Sequence, residues 1–307
     1  QQVADAPAGF QYSRKITSLA ANTLASNSYH SIRYAVEGFD AAQLNCGNSS
    51  AKTVTLSFYV KSSLTGSFGM NFTNSANNRS YPVPYTISSA NTWEQKTITL
   101  TLDTSGTWLT NNGVGLEINW KLAMGSGYDS GSPNQWQNTW KFPENTVNLL
   151  TTNGATFQLT GVQLEVGQQA TPFEHRSFSD ELNRCSRYLQ IFHVPTSDSK
   201  RASNITATVH GTGSGVYLNV AFIHPMRAAP SVTVDGAFGG NVFTGSWSGA
   251  TLSGITAEYG TDALSTLGFH GITSASVTGS HTTGLTGQIY TANNGSNDAA
   301  LIYSAEL

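Results

Sequence analysis

Charged residues are scarce in this chain, and so are cysteines. Asp, Glu, Lys and Arg make up 11% of the 307 residues, against roughly 25% in an average globular protein, and the formal net charge is −3. Such a chain lacks the basic surface that binds phosphates, so we expect no nucleic-acid partner. The two cysteines, Cys46 and Cys185, cannot form a disulfide framework or a cysteine-only zinc site. We expect two buried thiols, with a single bridge as the alternative.

Long hydrophobic runs are also missing. No apolar stretch approaches the roughly 18 residues needed to span a bilayer, so we expect no membrane insertion. The sequence begins with Gln1 and shows no signal peptide, which suggests a processed chain or a piece of a longer protein. Hydrophobic residues still reach 38%, with 6 Trp, 12 Tyr and 14 Phe, so we expect a packed core rather than disorder. The length favours two domains.

Apolar and polar residues alternate with period two in the first half of the chain, which predicts β-strands. The strand candidates are Thr53–Lys61, Thr97–Leu102, Gly115–Leu122 and Thr156–Val166. In the last of these the apolar phase changes at Gly161, which predicts a β-bulge because one extra residue redirects every following side chain. Short strands separated by turns rich in Gly, Asn and Ser are typical of a β-sandwich or jelly roll.

One segment, from Phe178 to Tyr188, has the pattern of a helix. Ser177 is a favourable N-cap, acidic residues occupy the first turn, and arginines lie near the end, where they suit the helix dipole. Beyond Arg227 the chain has no Lys or Arg, and Gly, Ser, Thr and Ala dominate. Strands are predicted there at Asn204–Val209, Val216–Phe222, Ser231–Val234, Gly268–Val277, Gly287–Thr291 and Ala300–Leu307.

The predicted architecture is therefore all-β. We expect an N-terminal linker over 1–9, a jelly-roll β-sandwich over 10–176, a connecting helix over 177–190 and a C-terminal β-sandwich-like domain over 191–307. Large aliphatic residues are sparse in the last of these, so its core would be thin. Self-association would supply the missing burial, and we expect a homotrimer.

A long loop over 125–143 carries the most suggestive side chains for binding a ligand. Aromatic rings stack on the C–H faces of sugars, while amides and carboxylates bind their hydroxyls, so this mixture favours carbohydrate. A second polar and aromatic segment spans Arg79–Tyr85. The candidate glycan contacts are Tyr128, Asp129, Trp136, Trp140, Tyr81 and Tyr85. The alternative is that the tryptophans pin the loop onto the sandwich, since long loops often pack on their own aromatic residues.

Catalytic and metal-binding motifs are missing from the sequence. There is no nucleophile elbow, phosphate-binding loop, dinucleotide fingerprint or paired-histidine zinc motif, so we expect neither an enzyme nor a cofactor. A glycosidase needs two carboxylates about 5–10 Å apart. The candidates are Glu117, Asp129, Glu165, Glu174, Asp180 and Glu181. We expect ion pairs of Glu174 and Glu181 with Arg176 and Arg184. A structural Ca²⁺ bound by Asp129 and Asp40 remains an alternative.

Three segments in succession, Phe157–Gly167, Ala170–Ser177 and Glu181–Tyr188, resemble a block found in tailed-bacteriophage tail-fibre and virion structural proteins. In those proteins a carbohydrate-binding-module-like jelly roll ends with the pattern GVQLE-G--ATPFE-RS---EL--C-RY. The segment Pro225–Val232 and the ending Ser304–Leu307 also resemble C-terminal fibre modules of such proteins.

The resemblance implies a location in the virion tail, after assembly in the host cytoplasm. It also implies structural roles for residues of the shared block, in fixing the sandwich to its helix: Glu165, Glu174, Arg176 and Cys185. The expected function is a non-enzymatic tail fibre or receptor-binding protein, with itself, other tail proteins and a host-surface glycan as partners. The alternatives are a structural virion protein that binds no glycan and a glycan depolymerase.

Overall fold

The computed structural model describes residues 1–194, 206–210, 215–235, 240–242, 252–257, 270–277, 286–291 and 299–306. The chain divides into two compact units, Gln1–His175 and Arg176–Leu307. In the described residues both units are built from antiparallel β-sheets with little helix, which confirms the all-β prediction.

The first unit is a sandwich of two antiparallel sheets, jelly-roll-like in character. Its strands are β1 Gln2–Val3, β2 Ser13–Thr17, β3 Tyr29–Glu37, β4 Thr53–Ser62, β5 Gly66–Thr73, β6 Ser80–Ile87, β7 Glu94–Thr101, β8 Val114–Met124 and β9 Thr156–Val166. One sheet has the order β1-β2-β9-β4-β7 and the other the order β3-β8-β5-β6. A four-residue helix, α1 (Gly38–Ala41), follows β3.

The core lies between the two sheets, where the predicted alternation places it. From β4 it takes Val54, Leu56, Phe58 and Val60, all fully buried. From β8 it takes the face that includes Trp120, whose ring meets Phe58 edge to face at 5.6 Å between centroids. Apolar area of this size, removed from water on both sheets, is the main stabilising term of the unit.

The predicted bulge lies at Gly161. Ser57 of β4 lies opposite Gln163 of β9, and Tyr59 lies opposite Thr160. Over this interval β9 therefore has one residue more than β4, which is a β-bulge. Gly161 adopts φ +58°, a left-handed conformation that favours glycine, and a Cβ there would lie 2.6 Å from the ring of Phe10. The sequence signal, a glycine at a change of phase, therefore identified a real distortion of the strand.

The first residues of the chain form part of this sandwich, which corrects the expectation of a linker over 1–9. Residues Gln2 and Val3 pair with Arg14 and Ser13 as strand β1. Asp5 then accepts hydrogen bonds from Lys61 Nζ at 2.8 Å and Gln158 Nε2 at 3.2 Å, and these bonds, with Lys61 the largest contributor, lower its pKa.

In the second unit the helix α2 (Phe178–Cys185) begins at the predicted residue. The Ser177 hydroxyl accepts a hydrogen bond from the Asp180 amide at 3.2 Å, as an N-cap does. The helix ends at Cys185, three residues before the predicted end, and belongs to the second unit rather than to a separate connector.

Cys185 is exposed and Cys46 is half-buried, so the prediction of two buried thiols was wrong for Cys185. Both thiols are free.

The strands of the second unit form two antiparallel sheets, of order β10-β18-β13 and β14-β17-β11-β12-β16-β15. Their bounds are β10 Leu189–Val194, β11 Thr206–His210, β12 Gly215–Ala221, β13 Ser231–Asp235, β14 Gly240–Val242, β15 Leu252–Ala257, β16 His270–Val277, β17 Thr286–Thr291 and β18 Ala299–Ser304. All six predicted strands of this half are present. The predicted ends at 204–205, 268–269 and 307 lie outside the described residues.

Candidate functional site

The long loop, residues 125–148, covers the outer face of the second sheet of the sandwich. Strand β8 is consequently buried on both faces. On its outer face the Asn119 amide donates to Asn71 Oδ1 at 3.1 Å, and the Asn71 amide donates to the Lys141 carbonyl oxygen at 2.9 Å. Gly69 makes room for the loop, because a Cβ there would lie 2.9 Å from both Pro143 and Thr146.

A buried ammonium group fastens this loop. Lys121, whose side chain is fully buried, donates from Nζ to Asp129 Oδ1 at 2.7 Å, to Thr146 Oγ1 at 2.8 Å and to the Thr146 carbonyl oxygen at 3.1 Å. Loss of hydration lowers the pKa of Lys121, and the bond with Asp129 opposes that shift. All three donors of the ammonium are used, so its role in this site is to hold the loop.

The two loop tryptophans have different environments. Trp136 packs against Trp108 and Tyr81, with ring centroids at 5.6 and 5.2 Å, and its indole N–H donates to the Thr101 carbonyl oxygen at 3.0 Å. A half-buried ring with a satisfied donor, packed against the core, anchors the loop. For Trp136 and Tyr81 the geometry therefore supports the pinning interpretation.

Trp140 lies in a group of aromatic rings at the edge of the sandwich. We call Tyr29, Tyr128 and Trp140 the aromatic notch: their centroids are 4.9 to 5.7 Å apart, and their ring planes are inclined by 73° to 87°. Tyr29 is 53% exposed, and the other two are half-buried. The exposed ring of Tyr29, with two half-buried rings inclined to it, forms an aromatic surface on which an apolar sugar face can stack.

One feature of the notch bears on binding: the indole N–H of Trp140 is buried and has no hydrogen-bond partner within the described residues. A charged pair lies further along β3. Arg33 donates to Glu117 Oε1 at 2.7 Å, and this bond is the main reason that the pKa of Arg33 is raised. The strand register separates the pair from the notch, since Tyr29 lies opposite Met124 and Ala35 lies opposite Glu117.

A polar cleft of about 550 Å³ opens beside the notch. Its lining includes the segment 21–24 on one side and Asp129, Glu144, Asn145 and Asn148 on the other. Asn148 is held in place, since its side chain accepts a hydrogen bond from the Met124 amide at 2.9 Å. Glu144 and Asn145 are exposed, and neither side chain has a partner within the described residues. The cleft therefore offers free acceptors and donors to a polar ligand.

The structure corrects one of the six predicted glycan contacts. Tyr85 is only 8% exposed and belongs to the core, where its ring packs against Phe58 and Phe68. Burial raises the pKa of Tyr85 and leaves its hydroxyl without a partner in the described residues. Of the remaining five, Tyr128, Asp129 and Trp140 lie together at the notch and the cleft, whereas Tyr81 and Trp136 form the anchoring group.

Most of the candidate carboxylates already have partners. Glu117 binds Arg33, Asp129 binds Lys121, Asp180 binds Arg184 at 3.3 Å and Glu181 binds Arg176 at 3.3 Å. Of the expected ion pairs, Glu181 with Arg176 is present, whereas Arg184 binds Asp180, which lies one turn before it on α2. Among the described residues, no ion pair is found for Glu174.

The proposed calcium ligands do not share a site. Tyr29, at one end of β3, contacts Tyr128, the neighbour of Asp129, whereas Asp40 follows the other end in α1. Nine strand residues span about 26 Å at roughly 3.3 Å per residue. Within the described residues, no group of three or more His, Cys, Asp or Glu side chains is placed to bind a metal ion.

Residues just after strand β9 organise the end of the sandwich. Glu165 accepts a hydrogen bond from the Thr171 amide at 3.0 Å, and its bonds with Thr171 and Gln163 lower its pKa. The Glu174 amide donates to Gln163 Oε1 at 2.8 Å. These bonds tie the segment after β9 back onto that strand. Arg176 pairs with Glu181 beside the start of α2. Cys185 is a free and exposed thiol at the last residue of α2.

Sequence reasoning missed Tyr29 and Glu144. Tyr29 begins a strand whose burial does not alternate cleanly, since β3 is an edge strand with two irregularities of register against β8. The sequence signal for Glu144 is its position directly after Pro143, at the end of the aromatic loop, where we expect a surface turn. Only the fold brings Tyr29 to the loop 125–148, to which Glu144 itself belongs.

No protein-family model matches the chain, and no curated protein matches it significantly. Within the described part of the chain, neither helix has the length and apolar character needed to cross a bilayer.

Proposed function

We propose that the protein is a non-enzymatic receptor-binding component of a bacteriophage tail, which contacts a host-surface glycan through its first unit. The aromatic notch carries this proposal: Tyr29, Tyr128 and Trp140 present inclined and partly exposed rings beside a polar cleft. Sugar rings need such a combination, because one side of the ring is apolar and its rim carries hydroxyls. The resemblance of Phe157–Gly167, Ala170–Ser177 and Glu181–Tyr188 to tail-fibre proteins supports the biological setting that we propose.

The carboxylates support binding rather than hydrolysis. A glycosidase needs one carboxylic acid to donate a proton and a second carboxylate about 5–10 Å away. Asp129, beside the notch, is held at 2.7 Å by the Lys121 ammonium, and Glu117, further along β8, is held at 2.7 Å by Arg33. Each of these two carboxylates is engaged in an ion pair with a cation, and we assign both to holding the structure rather than to proton transfer.

Several copies would raise the avidity of a weak glycan site, and we propose that the protein self-associates as a homotrimer. One face of the β10-β18-β13 sheet supports this. Leu189 is 38% exposed and Ile191 45% exposed; they lie with Ile302, Ser231 and Thr233 on one side of the three strands. This central part of the face is uncharged, so copies of the chain can meet there without like-charge repulsion.

Light scattering tests the self-association. We expect the mass of a trimer for the wild type at micromolar concentration and a monomer for Ile191→Lys, because a charge would then be buried at the contact. Thr233 is exposed on β13, at the other side of the same sheet. A monomer for Thr233→Lys would show that the contact reaches β13, and a trimer would show that it is confined to β10 and β18. A monodisperse wild-type monomer would refute the proposal, and a trimer that persists in Ile191→Lys would place the contact elsewhere.

Binding to an array of bacterial glycans tests the function. We expect the wild type to bind, and Tyr29→Ala to bind at least tenfold more weakly because it removes the exposed ring of the notch. Tyr34→Ala is the matched control, since Tyr34 is on the same strand and is also 53% exposed. Release of reducing ends from a bound polysaccharide would favour a depolymerase. Absence of glycan binding, with the protein enclosed among other virion proteins by electron microscopy, would favour a structural role.

A further inference from the structure

The polar cleft and the aromatic notch are adjacent through two stretches of chain. Tyr128 belongs to the notch, and the next residue, Asp129, lines the cleft. The segment 21–24 lines the cleft, and the same connection leads into Tyr29. Backbone hydrogen bonds hold these stretches together, since the Gly125 and Gly127 amides donate to the Ser28 and Ser26 carbonyl oxygens, both at 2.8 Å. A ligand that stacks on the notch can therefore extend into the cleft.

The charge of the cleft is set by a single residue. Two carboxylates line it, Asp129 and Glu144, and its lining contains neither Lys nor Arg. Asp129 is neutralised by Lys121 beneath it at 2.7 Å. The other nearby lysine, Lys141, donates to the Gly127 carbonyl oxygen and does not line the cleft. Glu144 is exposed and has no cation bound within the described residues, so it leaves the lining with one uncompensated negative charge.

This charge discriminates between sugars. A carboxylate accepts strong hydrogen bonds from the hydroxyls of a neutral sugar and from the ammonium of an amino sugar. It repels the carboxylate of a uronic or sialic acid, and a phosphate or sulfate group more strongly. The amide of Asn145, which lines the same cleft and is exposed, adds a neutral donor and acceptor that suit hydroxyls and N-acetyl groups.

We propose that the polar cleft is a second sugar subsite, which accepts a neutral or amino sugar next to the one stacked on the notch and excludes acidic sugars through Glu144. This inference rests on the proposed glycan binding and adds the class of glycan to it. The ligand is then an oligosaccharide of at least two units whose unit in the cleft has no acidic group.

The experiment uses the full chain and an array that holds neutral, amino-sugar and acidic bacterial glycans. It also includes alginate oligosaccharides before and after chemical reduction of their carboxyl groups, which removes charge and preserves the backbone. We expect the bound glycans to be neutral or amino-sugar oligosaccharides, with at least tenfold weaker binding of any acidic counterpart. In Glu144→Gln we expect the ratio of neutral to acidic binding to fall at least threefold. Asp40→Asn, the same charge change on the exposed α1, should leave the ratio unchanged.

The outcomes separate this inference from the function on which it rests. Wild-type binding that is strongest for an acidic glycan, or a Glu144→Gln variant with an unchanged ratio, overturns the subsite while glycan binding stands. Binding that disappears with a chelator and returns with Ca²⁺ overturns it as well, because the carboxylates would then be metal ligands. If the wild-type protein binds no glycan on the array although a cooperative thermal transition shows that it is folded, the function and the subsite are refuted together.

Discussion

Trp136 and Trp140 lie four residues apart in one loop, and the structure gives them different environments. Trp136 has a hydrogen-bonded indole and two aromatic neighbours that belong to the packed side of the loop. Trp140 has a buried indole N–H without a partner and an exposed neighbour in Tyr29. Residue type therefore does not distinguish an anchoring ring from a binding ring. The partners of the polar atom and the exposure of the neighbouring ring do.

Removing the Lys121 ammonium, which holds the loop, should abolish the difference between the environments of the two tryptophans. In Lys121→Met the carboxylate of Asp129 and the oxygens of Thr146 lose their donor, and they are partly or wholly buried. We expect the free energy of unfolding to fall by about 3 kcal/mol, as for other broken buried ion pairs. Urea unfolding followed by tryptophan fluorescence measures it.

The control for that experiment is Lys96→Met, which removes a more exposed pair with Glu94 and should cost less than about 1 kcal/mol. Equal losses for the two variants would show that the buried ammonium does not hold the loop. We also expect Lys121→Met to lose binding at both the notch and the cleft, because both are formed by the loop.

A matched pair of substitutions sharpens the comparison. Trp136→Phe removes the hydrogen bond to the Thr101 carbonyl oxygen, and we expect a loss of about 1 kcal/mol in the free energy of unfolding with glycan affinity within twofold of wild type. Trp140→Phe removes a buried donor that has no partner, so we expect stability to change by less than about 0.5 kcal/mol and affinity to fall several-fold. Chemical denaturation measures the stability of the two variants, and titration with the glycan measures their affinity. If Trp136→Phe lowered mainly the affinity and Trp140→Phe mainly the stability, Trp140 would be the anchoring residue and Trp136 the binding residue.

The fold could be predicted from the sequence wherever a strand has one apolar face. We identified strands β4, β8 and β9 and the bulge at Gly161 because apolar and polar residues alternate along them. The apolar residues mark the face of each strand that packs against the core. Strand β6 was not recognised, because Pro82 and Pro84 interrupt the pattern. They are tolerated there because β6 is the edge of its sheet.

The site was predictable only in part. The aromatic loop was identified from composition, and three of its predicted residues meet at the notch and the cleft. Tyr85 was assigned to the surface because its segment is polar, but the pleat of β6 turns its ring into the core. Tyr29 lies almost a hundred residues from the loop, and only the pairing of β3 with β8 brings it to Tyr128 and Trp140.

The most direct test of the proposed glycan site is a calorimetric titration of the wild type, Tyr29→Ala and Tyr34→Ala with the best-bound oligosaccharide. Both substitutions remove a tyrosine that is 53% exposed on β3, and only the first belongs to the notch. We predict at least tenfold weaker binding for Tyr29→Ala and binding within twofold of wild type for Tyr34→Ala. Equal affinities for all three proteins, with their folds intact, would contradict the account.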